Sequence, residues 1–157
     1  MSNFDLTRYL PYLVNRTGVR LANAFGEVLR AHGITLQMWR VLAALDHSDG
    51  QRISDLAALT SIDVSTLSRI LDAMQEKGLI ERRRANGGDA RVVTVHETEA
   101  GHALTGEIIP RARHYEEVAL RGFAAEEETA LKAMLVRVYR NIDALEEEAA
   151  AGATKAA

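Results

Sequence analysis

The stretch that decides the fold runs from Ile53 to His96 and reads ISDLAALTSIDVSTLSRILDAMQEKGLIERRRANGGDARVVTVH. It predicts a short helix, a tight turn, a second helix that stops at a glycine, and a two-stranded ribbon with arginines beside its turn. Helix, turn and helix in this order are the plan of a helix-turn-helix unit. The ribbon is too small to have a core of its own, so we expect it to pack on these helices.

The second helix has the clearest boundaries in this stretch. Asp63 is predicted to cap its start, because a carboxylate can accept hydrogen bonds from the free N–H groups of the first turn. Ile62 and Leu67 have the spacing of a hydrophobic staple around that cap. Gly78 predicts the end of the helix, in a Schellman motif that needs a left-handed residue.

The spacing also separates an apolar face of this helix from a polar one. The residues expected to face the core are Leu67, Ile70, Leu71 and Met74. The residues predicted to contact DNA from the other face, together with the cap, are Asp63, Ser65, Thr66, Ser68 and Arg69. Short hydroxyl side chains and an arginine suit the major groove, where arginine can bond guanine bidentately. A helical hairpin with a merely solvated polar face is the alternative interpretation.

The helix before it is predicted to be the partner helix of the motif. We expect Ser54 to cap this helix and to lie among the DNA-contacting residues. Its predicted buried residues are Leu56, Ala57 and Leu59. Thr60 and Ser61 then form the short turn between the two helices.

The ribbon is predicted to consist of the strands Leu79–Arg84 and Arg91–His96. The glycines and asparagine between them favour a tight hairpin tip. Its candidate DNA-binding residues are Arg82, Arg83, Arg84, Asp89 and Arg91. Arginines on a ribbon beside a recognition helix favour a wing that contacts phosphates or the minor groove. We expect the Asp89 carboxylate to orient the Arg91 guanidinium.

These residues resemble the winged helix-turn-helix of the MarR family of bacterial transcriptional regulators, in DVSTLSRILDAMQEKGLIERRR and in the wing motif D-x-R at Asp89–Arg91. The resemblance covers nearly the whole chain, and it implies a homodimer that binds a pseudo-palindromic operator under the control of a small ligand. In the family a Leu-Thr pair and a glycine usually follow the wing. Thr98 and Gly101 match, but Glu97 stands at the leucine position, which predicts weaker anchoring of the last strand.

Composition limits the class of protein further. The chain has 157 residues, 47% of them hydrophobic, which suits one domain with extensions. It has no cysteine, so neither a disulfide framework nor a thiolate nucleophile is available. Neither a membrane span nor an export signal is expected, and we place the protein in the cytoplasm with no membrane partner. Positive charge is concentrated in residues 61–95, with six Lys and Arg against five Asp and Glu.

The fold expected is mainly α with a small β wing, in which end helices flank a winged helix-turn-helix domain. We expect an N-terminal dimerisation helix at 4–34, the DNA-binding domain at 35–97, C-terminal dimerisation helices at 98–148, and a flexible tail at 149–157. Pro11 predicts a kink or a helix start, Gly33 a stop, and Thr35 the cap of the next helix. Thr98 predicts the cap of the helix that follows the wing, and Pro110 predicts a second kink within it. Long apolar stripes on the end helices are expected to be buried against a second copy.

No catalytic motif is present, so we expect no enzyme and no cofactor. We expect no metal site either, because the five histidines form no i, i+4 pair. A small effector is expected to bind in a pocket with aromatic walls and a guanidinium group, which would suit an aromatic acid or an acyl thioester. The candidate ligand-binding residues are Tyr9, Tyr12, Arg16, Trp39 and Arg40. The alternative for these residues is core packing for Trp39 and surface ion pairs for the arginines.

Two functions therefore remain open from the sequence. The preferred one is a ligand-responsive transcriptional repressor that binds double-stranded DNA as a homodimer. The alternative is a winged-helix module that binds another protein and no longer binds DNA. The two functions differ in the role of Arg69 and Arg91. A DNA-binding regulator needs these arginines for its affinity for DNA, whereas a protein-binding module does not.

Overall fold

A computed structural model describes residues 4–84 and 92–155. The described residues are mainly helical with one small antiparallel sheet, as predicted. The chain divides into two compact units, Met1–Tyr115 and Glu116–Ala157. The elements in chain order are a 3-10 helix (Leu6–Arg8), α1 (Leu10–Ala31), α2 (Leu36–His47), β1 (Gln51–Arg52), α3 (Ile53–Thr60), α4 (Val64–Glu76), β2 (Ile80–Arg84), β3 (Val93–Glu97), α5 (Glu99–Ala119) and α6 (Ala125–Lys155).

The first long helix begins at Leu10 and not at Phe4, the start that the apolar spacing predicted. Pro11 lies in its first turn, where the missing N–H has no helical partner to lose. The residues before it form the 3-10 helix, whose first turn is capped by the Asp5 carboxylate. Of the two outcomes expected for Pro11, the helix start is therefore the observed one. Gly33 follows the helix with φ +67°, which confirms the predicted stop.

Helix α2 is capped by Thr35 as predicted, since the Thr35 hydroxyl accepts a hydrogen bond from the Met38 N–H at 3.2 Å. Its buried side chains are Met38, Val41, Leu42, Ala44 and Leu45. Trp39 is half-buried and meets the Phe25 ring edge to face, with 5.8 Å between ring centroids. The α1 and α2 helices therefore share one apolar core.

The start of α3 differs from the prediction. Ser54 does not cap this helix. The cap position is Arg52, two residues earlier, and Arg52 makes no side-chain cap bond. Arg52 is also the last residue of β1, so the strand leads directly into the helix. Leu59 was wrongly predicted to be buried, since it is 57% exposed. Thr60 is buried in its place, with its hydroxyl donating to the Leu56 carbonyl at 2.6 Å.

The end of α4 is the Schellman motif that Gly78 predicted. The Leu79 N–H donates to the Met74 carbonyl at 3.0 Å, and the Gly78 N–H donates to the Gln75 carbonyl at 2.9 Å. Gly78 has φ +70°, a conformation that costs glycine little. The chain then turns into β2.

The sheet contains a third strand that sequence analysis missed. Its order is β1-β3-β2, with both pairs antiparallel, so β3 is central. Strand β1 is only two residues long, which is too short to show an alternating pattern. Gln51 of β1 pairs with the buried Val95. The Gln51 side chain also donates to the Ala44 and Ser48 carbonyls, at 2.7 and 2.8 Å, which ties the end of α2 to the sheet.

The first turn of α5 lies against the turn that follows α4. The Thr98 hydroxyl caps α5 by accepting from the Gly101 N–H at 3.0 Å, as predicted, and donates to the Gly78 carbonyl at 2.6 Å. Gly101 is buried, and a Cβ atom on it would lie 2.0 Å from the Leu79 carbonyl oxygen. Only glycine fits at this position. Pro110 lies within α5 and does not end it.

The buried core belongs to the first unit and draws on all five of its longer helices and on the sheet. Its apolar side chains are Phe25, Leu29, Ile34, Met38, Val41, Leu42, Ala44, Leu45, Leu56, Ala57, Ile62, Leu67, Leu71, Met74, Leu79, Ile80, Val95 and Ile108. This core holds α4 on its apolar side only.

The second unit consists mainly of α6, which begins with three glutamates in its first turn. These carboxylates suit the positive end of the helix dipole. The helix continues to Lys155, beyond the expected end at Glu148 and through most of the expected flexible tail. Its exposed apolar side chains, each at least 45% accessible, are Met134, Leu135, Val136, Tyr139, Ile142 and Leu145.

We expect Gly101→Ala to lower the free energy of unfolding by about 1 to 3 kcal/mol, because the new methyl group would overlap the Leu79 carbonyl. The measurement is urea unfolding followed by the fluorescence of the single tryptophan. Gly106→Ala in the same helix is the matched control, since nothing lies within 4 Å of its Cβ position. It should raise stability by about 0.5 to 1 kcal/mol. Equal effects of the two substitutions would contradict this account of Gly101.

Candidate nucleic-acid interface

The N-terminal turn of α4 is organised by Asp63. Its carboxylate accepts from the Thr66 N–H at 2.9 Å and from the Ser65 hydroxyl at 2.6 Å, which confirms the predicted cap. The hydrogen bond from Ser65, and then those from Thr66, hold the pKa of Asp63 well below its ordinary value. The cap therefore stays ionised at neutral pH and orients the Ser65 hydroxyl.

The two faces of α4 differ as the spacing predicted. Leu67, Leu71 and Met74 are fully buried, whereas Ser65, Thr66 and Arg69 are exposed. Because the exposed side chains lie on the first two turns, the N-terminal half of the helix is available to a groove of DNA. Ser68, also predicted to contact DNA, is half-buried, and its carbonyl accepts a hydrogen bond from within the protein.

Val64 is a candidate contact that sequence analysis missed. It is the first residue of α4, next to the cap, and its side chain is 56% exposed. An exposed apolar side chain at the tip of a recognition helix suits contact with a thymine methyl group. The exposure of Val64 could have been predicted from its position directly after Asp63, which places it outside the apolar stripe of α4.

Arg82 is engaged inside the protein. Its guanidinium donates to the Asp72 carboxylate at 2.6 Å and to the Ser68 carbonyl at 3.1 Å, and the side chain is 23% exposed. These contacts join β2 to the middle of α4. Arg82 therefore positions the base of the wing against the recognition helix, a role that the sequence did not suggest.

The next two arginines are more accessible. Arg83 forms an ion pair with Glu81, with 3.0 Å between Arg83 Nε and the carboxylate, and both side chains are largely exposed. Arg84, at the end of β2, is exposed. Both side chains can approach DNA phosphates. To bind a phosphate, Arg83 would have to give up its ion pair with Glu81.

Three predicted DNA-binding residues remain: Ser54, Asp89 and Arg91. Ser54 is exposed on α3, where its hydroxyl donates to the Asp55 carboxylate at 3.2 Å. Asp89 and Arg91 lie outside the described residues, so their proposed pairing stays a prediction.

The base of the wing is held by the loop between α2 and β1. Asp49 Oδ1 accepts from the Glu97 N–H at 3.0 Å, and Asp49 Oδ2 lies 2.8 Å from His96 Nδ1. Burial alone would raise the pKa of Asp49, but the hydrogen bonds from His96 and the backbone lower it overall. Sequence analysis missed this contact, because its partners are far apart in the chain.

Glu97 anchors the end of β3 to α5. Its side chain is 7% exposed, and its Oε1 atom accepts from the Thr105 hydroxyl at 2.7 Å. Burial raises the pKa of Glu97, against the opposing effect of the hydrogen bond from Thr105 and of the nearby His102. The glutamate thus makes a polar contact with α5, and the weaker anchoring expected from its presence is not observed.

The candidate ligand-binding residues divide between two clefts. Trp39 and Arg40 line a cleft of about 360 Å³ between α2 and α3, with His47 and Leu59. Tyr12 and Arg16 line a groove along α1, where the Arg16 guanidinium donates to the Tyr12 hydroxyl at 3.2 Å. Tyr9 meets the Phe4 ring and lines neither cleft. The structure therefore does not bring the five residues into one pocket.

A helix with an exposed polar face that carries an arginine, packed on a helical core and followed by a basic pair of antiparallel strands, defines a winged helix-turn-helix DNA-binding protein. Comparison with known sequences agrees with this class, since a model of the MarR family matches residues 32–92. The chain belongs to the MarR family of DNA-binding transcriptional regulators.

Solved and curated relatives span most of the chain. A MarR-family transcriptional regulator from Silicibacter pomeroyi is 32% identical, with a TM-score of 0.80 over 90% of this chain and 95% of that one. The transcriptional repressor NicR of Pseudomonas putida is 27% identical over 84% of this chain and 83% of its own. BpsR of Bordetella bronchiseptica, whose DNA binding is regulated by 6-hydroxynicotinic acid, is 23% identical, with a TM-score of 0.74 over 85% and 98%.

Within the described residues, every helix is either too short or too polar to cross a bilayer.

We expect Arg82→Gln to destabilise the fold by about 1 kcal/mol, because it removes the charge-assisted hydrogen bonds to Asp72 and Ser68. The effect is modest because the Asp72 carboxylate is largely exposed to solvent. Urea unfolding measures the change. Arg83→Gln removes the same charge from the neighbouring residue and should change stability by less than about 0.5 kcal/mol, since its ion pair is at the surface. If Arg82→Gln left stability unchanged and only weakened DNA binding, the positioning role would be wrong.

Proposed function

We propose that the protein is a transcriptional repressor that binds a pseudo-palindromic operator as a homodimer, and that a small aromatic acid or acyl thioester modulates its affinity. The observation that carries the proposal is the exposed face of α4, formed by Ser65, Thr66 and Arg69. The opposite face of this helix is buried in the core of the protein. The related NicR is itself a repressor.

Arg69 is the side chain on this face with the capacity to specify a base. It lies on the second turn of α4 and is exposed, so its guanidinium can reach N7 and O6 of a guanine. Ser65 and Thr66, nearer the cap, can bond bases or phosphates at close range. Arg83 and Arg84 extend the basic surface from α4 onto the wing.

Exposed apolar side chains support the homodimer. Among the described residues they lie before α2 or after Pro110, apart from Leu59 and Val64. Large exposed apolar patches on a protein mark surfaces that bind a partner. Those of the N-terminal region are Phe4, Leu6, Tyr9, Leu10, Leu13, Val14, Val19 and Leu21, and those that precede α6 are Val118 and Phe123. A twofold dimer would present two α4 helices to major grooves about 34 Å apart, which accounts for a pseudo-palindromic operator.

The cleft between α2 and α3 is the better candidate for the effector. It combines the indole of Trp39 with the guanidinium of Arg40, as an aromatic carboxylate requires. It also involves Thr60, the last residue of α3, which precedes the turn to α4. A ligand there would alter the packing of α3 and so the position of the recognition helix. The DNA binding of the related BpsR is regulated by 6-hydroxynicotinic acid, a small aromatic acid.

We expect Arg69→Ala to weaken specific DNA binding about 5- to 150-fold, the equivalent of about 1 to 3 kcal/mol, because a bidentate base contact is lost. Footprinting on the upstream region of the protein's own gene supplies the operator, and a salt titration gives the affinity. Arg30→Ala, which removes the same charge from the end of α1, should leave affinity nearly unchanged. A winged-helix module that binds only proteins would show neither the footprint nor the salt dependence.

Sedimentation at micromolar concentration should give a mass near twice 17.2 kDa. Ile142→Glu, on the apolar stripe of α6, should shift the protein towards the monomer, because a charge would be buried in the interface. Asn141→Glu places the same charge one residue away, outside the stripe, and should leave the dimer intact. A monomeric wild-type protein would disprove the homodimer.

Calorimetry with a panel of aromatic acids and acyl thioesters tests the effector. For a compound that binds, Arg40→Ala should lower the affinity at least about tenfold, since a charge-assisted hydrogen bond contributes about 1.5 to 3 kcal/mol. Arg16→Ala is the matched substitution in the α1 groove and should have little effect. Absence of heat and of operator release across the panel would remove the effector class, and the reverse ranking of the two variants would move the site to α1.

A further inference from the structure

Three potential metal ligands meet where α2 ends, β3 ends and α5 begins. Asp46 lies in the last turn of α2, Glu97 is the last residue of β3, and His102 lies in the first turn of α5. One ligand atom from each of them lies within 4.8 Å of the other two. None of the three belongs to the DNA-contacting face or to either cleft.

The spacing of these atoms suits a small divalent cation. Zn²⁺ bonds of about 2.0 to 2.2 Å in a tetrahedral arrangement place neighbouring ligand atoms roughly 3.3 to 3.6 Å apart. His102 Nδ1 lies 3.4 Å from Glu97 Oε2. This distance is long for a hydrogen bond between the two groups, but it matches one edge of such a tetrahedron. Imidazole with carboxylate is a donor set that Zn²⁺ accepts.

The central ligand is held in place by its surroundings. The Glu97 carboxylate is nearly buried, and its Oε1 atom is fixed by the Thr105 hydroxyl, so that Oε2 is left for His102 or an ion. Outer hydrogen bonds of this kind orient the carboxylates that bind metals. Asp46 and His102 are exposed, and they leave a path from solvent to the site.

The charges of the cluster also favour a cation. Asp46 and Glu97 each bring a carboxylate to the cluster, with ligand atoms within 4.8 Å of one another. In the ranges 4–84 and 92–155, the ion pair observed for Glu97 is with His102, and no lysine or arginine forms one with either carboxylate. A divalent ion would offset the repulsion between the two acids.

We infer that Asp46, Glu97 and His102 bind a Zn²⁺ ion, or a transition-metal ion of the same class, with water completing the coordination. The ion links the end of α2 to the base of the wing and to α5. Its binding stabilises the first unit and restrains β3. This metal site is separate from the effector cleft and goes beyond the proposed function, and sequence analysis did not expect it.

The test is equilibrium dialysis and calorimetry of untagged, chelator-treated protein with Zn²⁺. We expect one ion per chain and a higher unfolding temperature with the metal, because the ion binds the folded state. His102→Gln, an exposed residue whose replacement leaves the fold intact, should weaken binding at least tenfold, as should the isosteric Glu97→Gln. His47→Gln is the matched control, since it removes an exposed histidine next to Asp46 that is not one of the three ligands.

The inference fails if Zn²⁺ does not bind, if binding is unaffected by His102→Gln, or if His47→Gln removes it. It also fails if more than one ion binds with equal affinity, which indicates scattered surface histidines and carboxylates. Should Glu97→Gln not fold, His102→Gln and the control decide the question alone. These outcomes do not depend on DNA, so they are distinguishable from a failure of the proposed function.

Discussion

The Gly78–Leu79 turn is the constraint on which the DNA-binding unit depends. Its N–H groups complete the end of α4, and its two carbonyls accept from the Thr98 hydroxyl and the Thr98 N–H. The Leu79 carbonyl also lies where any Cβ at position 101 would be. The recognition helix, the wing and α5 are therefore all in contact with the backbone of Gly78 and Leu79. Because buried peptide groups must be paired, a shift of one of these elements would break bonds in the others.

The base of the wing is fixed from three further directions. Arg82 joins β2 to α4, Asp49 joins the loop after α2 to β3, and Glu97 joins β3 to α5. These are polar contacts between a short sheet and its neighbours, as expected for a sheet too small to bury much apolar surface. They leave the exposed face of α4 and the outer arginines of β2 on a rigid support. A rigid support limits the entropy that must be lost on binding DNA.

Local signals in the sequence were sufficient for most element boundaries and for the exposed face. The caps at Thr35, Asp63 and Thr98 and the stops at Gly33 and Gly78 act over three or four residues, and all five are confirmed. The error at Ser54 arose where a neighbouring element intervened. Strand β1 forms because β3 is beside it, and it leads into α3 so that the cap lies at Arg52, two residues before Ser54. Local spacing cannot report such a pairing.

By itself, the sequence determined the fold class, the register of the recognition helix and the residues exposed on it, because helix periodicity and capping act within one or two turns of chain. Only the tertiary structure decided which charged residues are engaged inside the protein. Arg82, Arg83 and Arg84 are equivalent in sequence, yet one is bonded to α4, one pairs along its own strand and one is left exposed. The same holds for Asp49 with His96, and for Asp46, Glu97 and His102. Their partners are distant in the chain, and the energy of a charge depends on what folding brings within a few ångströms of it.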